Sequence, residues 1–475
     1  MTIHSHDTQI ASGIATTTTT TTTITTGVDV NTQMINEQFF VDPVSGDDSY
    51  SGHEGSPWKT IAKVNAAALV PGDQVFLPGG VTTIGKLAPV TSGDVNRYIL
   101  YGSYGVGRAT IDGSADNAFD IINQVATNLR VENIIYSGTG TAARPTARAY
   151  THDIYFYNCD FNDSSDGIGL AMDGASGTFV HSNTVDSCHA SGNHQSGFFA
   201  STGENNDSMP SGILFVNCTS HDNGVHPSGD HGFYVKFNCI IRDSIAYNNM
   251  YSGFKANCET FHTNPYGPII DRCYAYGNDT GYYAAHEKAT FRNNLAWGND
   301  YASMTVDPDC HNSNVLFNTL VNAVGDSGLQ FTTGTSGVHG NAFKNNLFIQ
   351  DKAVNNYRQP IAGAGTCNLD TIQANNTFDY NVYYYTTSAA VGIISDQQGH
   401  NWTFAQWKAL SNSPDAHGTQ LLALPDFVTR YTDLHPADAG NLKLLGLCML
   451  GYQQDKDEIY RAEPPTPGCY DSNGS

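Results

Sequence analysis

Apolar and polar residues alternate along most of the chain in short runs. Nine segments share one shape: "LRVENIIYSG", "IYFYNCDFND", "TFVHSNTVDS", "ILFVNCTSHD", "CIIRDSIAYNN", "IIDRCYAYGND", "TFRNNLAWGND", "SNVLFNTLVNA" and "AFKNNLFIQD". Each has a period of two, a small polar or Cys position, a few more strand residues and an Asn/Asp turn. Aligned on the small position they give the column Ile134, Cys159, Asn183, Cys218, Ser244, Cys273, Asn294, Thr319, Asn346. The spacing is irregular but stays near one coil of a parallel β-helix. Such a column predicts a buried ladder whose side chains bond to the coils above and below. It also makes Cys159, Cys218 and Cys273 small core residues rather than disulfide partners.

A second strand follows in each coil: "DGIGLAM", "SGFFAS", "HGFYVK", "SGFKAN", "TGYYAA", "ASMTVD" and "SGLQFT". A corner Gly allows the sharp turn. Phe198, Phe233, Phe254, Tyr282, Met304 and Leu329 then face inward, with Ala200, Val235, Ala256, Ala284, Val306 and Phe331 two residues on. The residues between them face out. One outward column reads Gly169, Phe199, Tyr234, Lys255, Tyr283, Thr305, Gln330; the next reads Ser201, Lys236, Asn257, Ala285, Asp307, Thr332.

The ends change character. Residues 1–36, with the Thr16–Thr23 run, have no apolar period and predict a disordered tail. Ser56 and Pro57 predict a helix start, Trp58, Ile61, Val64 and Ala68 recur at helical spacing, and Pro71-Gly72 stops it. One such helix suits a cap over an exposed sheet end. In "NWTFAQWKALSN" Thr403 and Gln406 are spaced for a capping box. The expected fold is all-β, a right-handed parallel β-helix with an N-terminal capping helix and a short C-terminal helix. The cap spans about 37–95, the coils about 96–390 and the C-terminal section about 391–475.

Charge narrows the partners. Lys and Arg number 22 against 45 Asp and Glu, a net charge of −23. That excludes nucleic acid or an anionic membrane as a general partner. No run reaches the ~20 apolar residues of a membrane span. The N-terminus has neither the basic start nor the apolar core of a secretory signal. An extracellular, cell-surface or virion location reached without such a signal is expected. No heptads predict a coiled coil, and either a monomer or a homotrimer is expected.

Two of those scarce lysines lie close together. Coils stack ~4.8 Å apart, so Tyr234, Lys236, Lys255, Asn257 and Tyr283 should form one patch on a flat sheet face. Asp230 and His231 flank it on the preceding turn, and His194 occupies the similar turn one coil earlier.

From residue 39 onward the chain resembles the right-handed parallel β-helix proteins that act on polysaccharides. "FVDPVSGDDSYSG…PWKTIAKVN…VPGDQVFLPGG" is similar to their N-terminal cap, "RYILYGSYGVGRATIDG" to their first coil, and "NWTFAQWKAL…DAHG…LPDFV" to their C-terminal section. The group includes pectate, alginate and glycosaminoglycan lyases, glycoside hydrolases, uronan epimerases and viral tailspikes, and fold alone does not choose among them. The resemblance implies a polysaccharide as partner. "SGFKAN" also resembles the Gly-Phe-Lys phrase that carries the catalytic lysine in the family-nine pectate lyases. This implies a catalytic Lys255 and, through an Asp cluster, Ca2+; Asp163, Asp166 and Asp173 are the candidates here.

The patch suits β-elimination of a uronic acid polymer. A cation or strong hydrogen-bond donors must neutralise the sugar carboxylate before the C5 proton can leave. Lys236, Asn257 and His231 would hold that carboxylate. Lys255, its pKa lowered by the like charge of Lys236, would be the base. Tyr234 or Tyr283 would serve as acid, or as a tyrosinate base. The same tyrosines equally suit a ladder on which sugar rings stack, and Glu287 with Lys288 reads as a surface ion pair. Hydrolysis is the rival, needing two carboxyl groups ~5–9.5 Å apart across one cleft. Asp166, Asp230, Glu259, Glu287 and Asp307 are available, yet the Asn-Thr-Asp phrase of polygalacturonases is absent. The Asp-Pro-His phrase of alginate epimerases is missing too. A tailspike or adhesin that grips glycans without chemistry is the reading from a different class.

Overall fold

The alternation read from the sequence closes into a solenoid. The computed structural model describes residues 36–471, apart from short gaps and the loops 122–125, 139–146, 172–179, 202–211, 226–228, 258–266, 323–326, 333–337, 351–358, 386–393 and most of 424–452. It also describes two three-residue strands within the first 35 residues, so most of the expected tail, and Asp173, lie outside the described residues. Three sheets of 13, 12 and 13 strands run the length of the molecule, each coil adding a strand to each sheet. The stacking is parallel, as in the register Phe198–Phe233–Phe254–Tyr282–Met304–Leu329. A parallel crossover of this kind is right-handed.

Every residue of that register is buried. Its rings stack at 4.7, 4.8 and 5.3 Å from Phe198 to Tyr282. The one phenol in the column, Tyr282, donates to the carbonyls of Cys273 and Leu295, which removes the cost of an unpaired buried hydroxyl.

The small-residue ladder exists, with two of its members misplaced by the sequence alignment. It runs Cys159, Cys188, Cys218, Ser244, Cys273, Asn294, Asn318, Asn346, Asn381. Asn183 instead sits at another corner, accepting from the Ile154 N–H and donating to the Thr151 carbonyl. The start of its segment, Thr178 and Phe179, lies outside the described residues, and the strand there is Thr184–Asp186. Thr319 is one residue late. Phe317 takes a left-handed φ of 55°, which turns the chain and puts Asn318 in the ladder. Cys159, Cys218 and Cys273 are free and buried, as expected, as are the other five cysteines among the described residues. Burial pushes the Cys218 and Cys273 thiols up to about 12, which leaves them inert.

The caps differ in detail. The first helix spans Ile61–Asn65 with Thr60 as its N-cap, starting later than Ser56 and ending well before Pro71. Asp48 causes the delay by accepting from the Lys59 and Thr60 N–H groups and the Thr60 hydroxyl. That holds the preceding chain extended, and Trp58 bridges to Val41 as a strand residue. The capping box of Thr403 and Gln406 forms on the helix Phe404–Lys408. A further helix, Leu369–Asn375, was not expected; Asn368 caps it.

Candidate active site

Corner geometry places the site. A second ladder, Asn193–Asn223–Asn249–Asn278–Asn299, lies buried where each coil turns toward the site sheet. The Asn249 amide donates to Asn278 Oδ1 at 3.0 Å and to the Ser220 carbonyl at 3.1 Å, and Asn278 repeats the pattern with Asn299 and Ala246. The repeat pattern predicts an Asn/Asp turn at Asn249, Asn278 and Asn299, and does not show that the side chains form a buried ladder. Packed against the ladder are Gly232, Gly253 and Gly281. A Cβ on Gly232 would lie 2.6 Å from the next coil's carbonyl and 2.8 Å from Asn249 Nδ2, so only glycine fits.

Beyond the glycines the strands Phe233–Val235, Ser252–Asn257 and Thr280–Ala285 present their outward residues in register: Tyr234 beside Lys255 beside Tyr283. Lys255 Nζ lies 4.6 Å from the centre of the Tyr283 ring and 5.6 Å from that of Tyr234. Lys236 Nζ lies 5.8 Å from the same Tyr234 ring. The two ammonium groups therefore share one aromatic neighbour. Lys236 and Asn257 are both largely buried at 7 % exposure, and the Asn257 amide donates to the Tyr234 hydroxyl at 2.8 Å.

The two tyrosines part company here. Tyr283 donates its hydroxyl to Asp307 Oδ2 at 2.6 Å. Burial first, and then that bond, push its pKa far above the ordinary phenol value. That favours the neutral phenol and weighs against a tyrosinate role for Tyr283. Phe199 stacks on the Tyr234 ring at 5.3 Å and 19°, and the His231 ring lies 5.3 Å from it at 26°. These contacts leave less of the Tyr234 ring for a stacked sugar.

His231 is 1 % exposed. Its Nδ1 meets the Ser252 hydroxyl at 2.5 Å, and its Nε2 has no hydrogen-bond partner. Burial, and then the Lys255 charge, hold its pKa well below the usual histidine value, so it is a neutral imidazole. Any part it takes in holding a carboxylate is that of a neutral donor.

The remaining candidates lie apart. Asp230 is buried, and its carboxylate accepts from the Val225 N–H in its own corner. His194 is half-buried one coil earlier, bound through its backbone to Ser164 and Val225. Asp163 is exposed in a left-handed turn. Asp166, two coils from Tyr234 in the register, accepts from the Ser196 N–H. Burial, with the Asp230 charge adding to it, pushes the Asp166 carboxyl up to about 6. Glu287 and Lys288 form the expected pair at 2.9 Å. Parity could not reveal Tyr251, a corner residue whose ring lies 5.4 Å from His231 and 5.6 Å from Tyr283. Nor did it reveal Asp307 as the anchor of Tyr283.

Calcium asks for six to eight oxygen ligands. Among the described residues, the one group of three His, Cys, Asp or Glu side chains with ligand atoms in mutual reach is His152, Asp153 and His181. Asp163 and Asp166 therefore form no three-ligand cluster there. In the triad the two imidazoles lie 4.4 Å apart and within 9° of parallel, so their in-plane lone pairs do not converge on one ion.

Neither a protein-family model nor a curated protein sequence matches the chain. Solved structures do. A complex of XylC with xylose aligns at a TM-score of 0.56 with 8 % identity, over 91 % of this chain and 98 % of that one. The pectate lyase Pel9A aligns at 0.44 with 16 % identity, over 92 % and 96 %. The GH136 lacto-N-biosidase from Eubacterium ramulus aligns at 0.46 with 15 % identity, over 77 % and 68 %. The alignment with the XylC complex shows a shared fold, the parallel β-helix described above.

Proposed function

We propose that the protein cleaves a uronic-acid-containing polysaccharide by β-elimination at the Tyr234–Lys236–Lys255–Asn257 patch. The observation that carries this reading is the convergence of Lys236 and Lys255 on one tyrosine ring, in a chain of net charge −23. Two lysines held together on a protein of the opposite sign form a local site that can receive a sugar carboxylate. Lys236 and Asn257 hold that carboxylate and draw charge from C5. Lys255, once it has given up its own proton to solvent, takes the C5 proton, the electron pair forms the C4–C5 double bond, and the C4–O bond breaks. The departing oxygen receives a proton from Tyr234 or from water. Tyr283, fixed by Asp307, walls the lysine in.

A second reading has its own observation. Asp166 near pKa 6, under the influence of Asp230, has the properties of a general acid beside a second carboxylate. Two coils of separation, ~10 Å, put the pair at the wide end of the inverting hydrolase range.

One assay separates them. The full chain is incubated with alginate, pectate, glycosaminoglycans and bacterial uronans, with and without added calcium. Ultraviolet absorbance follows the unsaturated product, and a reducing-end assay runs in parallel. Absorbance that rises with wild type and stays flat with Lys255→Ala supports elimination. New reducing ends without absorbance, lost in Asp166→Asn, would replace it with hydrolysis.

A further inference from the structure

Among the described residues between Tyr157 and Leu422, the large apolar side chains left well exposed are Val225 at 48 % and Met250 at 45 %. Both lie at the corner that leads from the neighbouring sheet into the lysine patch. On the outer face of that neighbouring sheet, just before the corner, His221, Tyr247, Tyr276 and Trp297 share one register. Their rings stack at 4.6, 5.1 and 4.5 Å, with planes 14°, 2° and 18° apart. All four are half-buried.

A stack that served packing alone would be covered, as the inner Phe198–Tyr282 stack is. Here the faces cover one another and the edges reach water. Each edge ends in a polar tip. Tyr247 Oη, Tyr276 Oη and Trp297 Nε1 make no hydrogen bond to another described residue, although the Trp297 ring also meets Tyr274 edge-on at 6.0 Å. Burial holds the pKa of Tyr247 and of Tyr276 above the usual phenol value, so both hydroxyls remain donors. The result is a line of apolar edges and hydrogen-bond donors repeating once per coil, about the length of one sugar unit. Polysaccharides present the complementary pattern of C–H and O–H groups. Charge selects among them. Asp222 is bonded to His221 at 2.6 Å and the strip holds no Lys or Arg, so anionic sugars are disfavoured. A strip one residue wide is too narrow for the ~800 Å² that a protein partner covers.

We infer that this strip, with Val225 and Met250 at its border, is a second glycan site that takes an uncharged polysaccharide lying along the solenoid axis. It is separate from the cationic lysine patch around the corner and does not depend on the elimination chemistry.

Affinity gel electrophoresis of the full chain tests it, using gels that contain hydroxyethyl cellulose, galactomannan or neutral arabinoxylan. The variant Tyr247→Phe/Tyr276→Phe/Trp297→Phe keeps a stack of rings and removes three donors. Wild type and Lys255→Ala should be retarded alike in at least one gel. The triple variant should bind roughly 10- to 100-fold more weakly, with its thermal unfolding close to wild type. Equal retardation of the triple variant would overturn the inference, and so would free migration of wild type in all three gels.

Discussion

Phe254 and Lys255 are neighbours in sequence and lie on opposite faces of one sheet. The inner column through Phe254 is stacked rings at zero or near-zero exposure. The outer column through Lys255 changes character at every coil: Phe199, Tyr234, Lys255, Tyr283, Thr305. Burial dictates the first, because any polar side chain there would need partners inside a hydrocarbon stack. The second column is not held to apolar residues. On the proposed function, its lysine between two tyrosines serves what that face binds.

The sharpest test uses that adjacent pair. Phe254→Ala should cost about 3–5 kcal/mol of stability by opening a cavity in the stack. Lys255→Ala should leave stability within about 0.5 kcal/mol and lower activity on the proposed uronan roughly 100- to 10,000-fold, the loss of a general base. Denaturant unfolding and the absorbance assay, run on both variants, decide it. A Lys255→Ala protein that unfolds early would mean the outer column is structural too.

This contrast was legible in the sequence because a strand has a strict period of two. Once one residue of "SGFKAN" is placed, its neighbours' faces follow, and adjacent coils bring Tyr234, Lys255 and Tyr283 together. Corners carry no such period. Asn183 and Thr319 were misaligned at corners, the asparagine ladder showed only as turns, and Tyr251 went unnoticed. His231 shows a further limit. Its neutrality depends on burial by other coils and on the charge of Lys255, which its own segment does not contain.

The asparagine ladder is where a polar residue belongs to the inner class. Asn249 donates to Asn278 and Ser220 and accepts from Asn223. Asn249→Ala should therefore cost about 2–4 kcal/mol, since it strands several buried groups at once. It should also lower activity, because the same ladder fixes the corner holding Tyr251 and Ser252. Unfolding free energy comparable to wild type would show that the corner is held by other contacts.

Asp415 extends that inner class to an ionisable group. It is fully buried and accepts from Tyr383, Trp407 and Asn381, yet burial outweighs these donors and pushes its carboxyl up to about 6. The native state thus holds a proton that the unfolded chain, at its ordinary value of 3.8, releases earlier. Stability is greatest below the unfolded value, falls as pH rises through the interval between the two, and levels off above about 6. The loss from Asp415 is on the order of 3 kcal/mol. Unfolding midpoints at several pH values should show this fall. Asp415→Asn should flatten part of it, the remainder belonging to Asp166 and Asp279, also raised to about 6.

Tyr283 tests the comparison from the other side, because it stands in the outer column but is only 8 % exposed. Its hydroxyl is committed to Asp307, and its ring lies closer to Lys255 Nζ than that of Tyr234 does. Tyr283→Phe keeps the ring against the lysine and deletes one charge-assisted bond, so a stability loss of about 1–2 kcal/mol is expected. If the ring alone positions Lys255, turnover should fall by no more than roughly threefold, less than 1 kcal/mol of barrier. If the Asp307 bond also sets where the ring sits, turnover should fall further while substrate affinity holds. A fall in turnover that Asp307→Asn reproduces would then place Asp307 behind the lysine as a positioning residue, and make Tyr283 an outer-column residue held by inner-column rules.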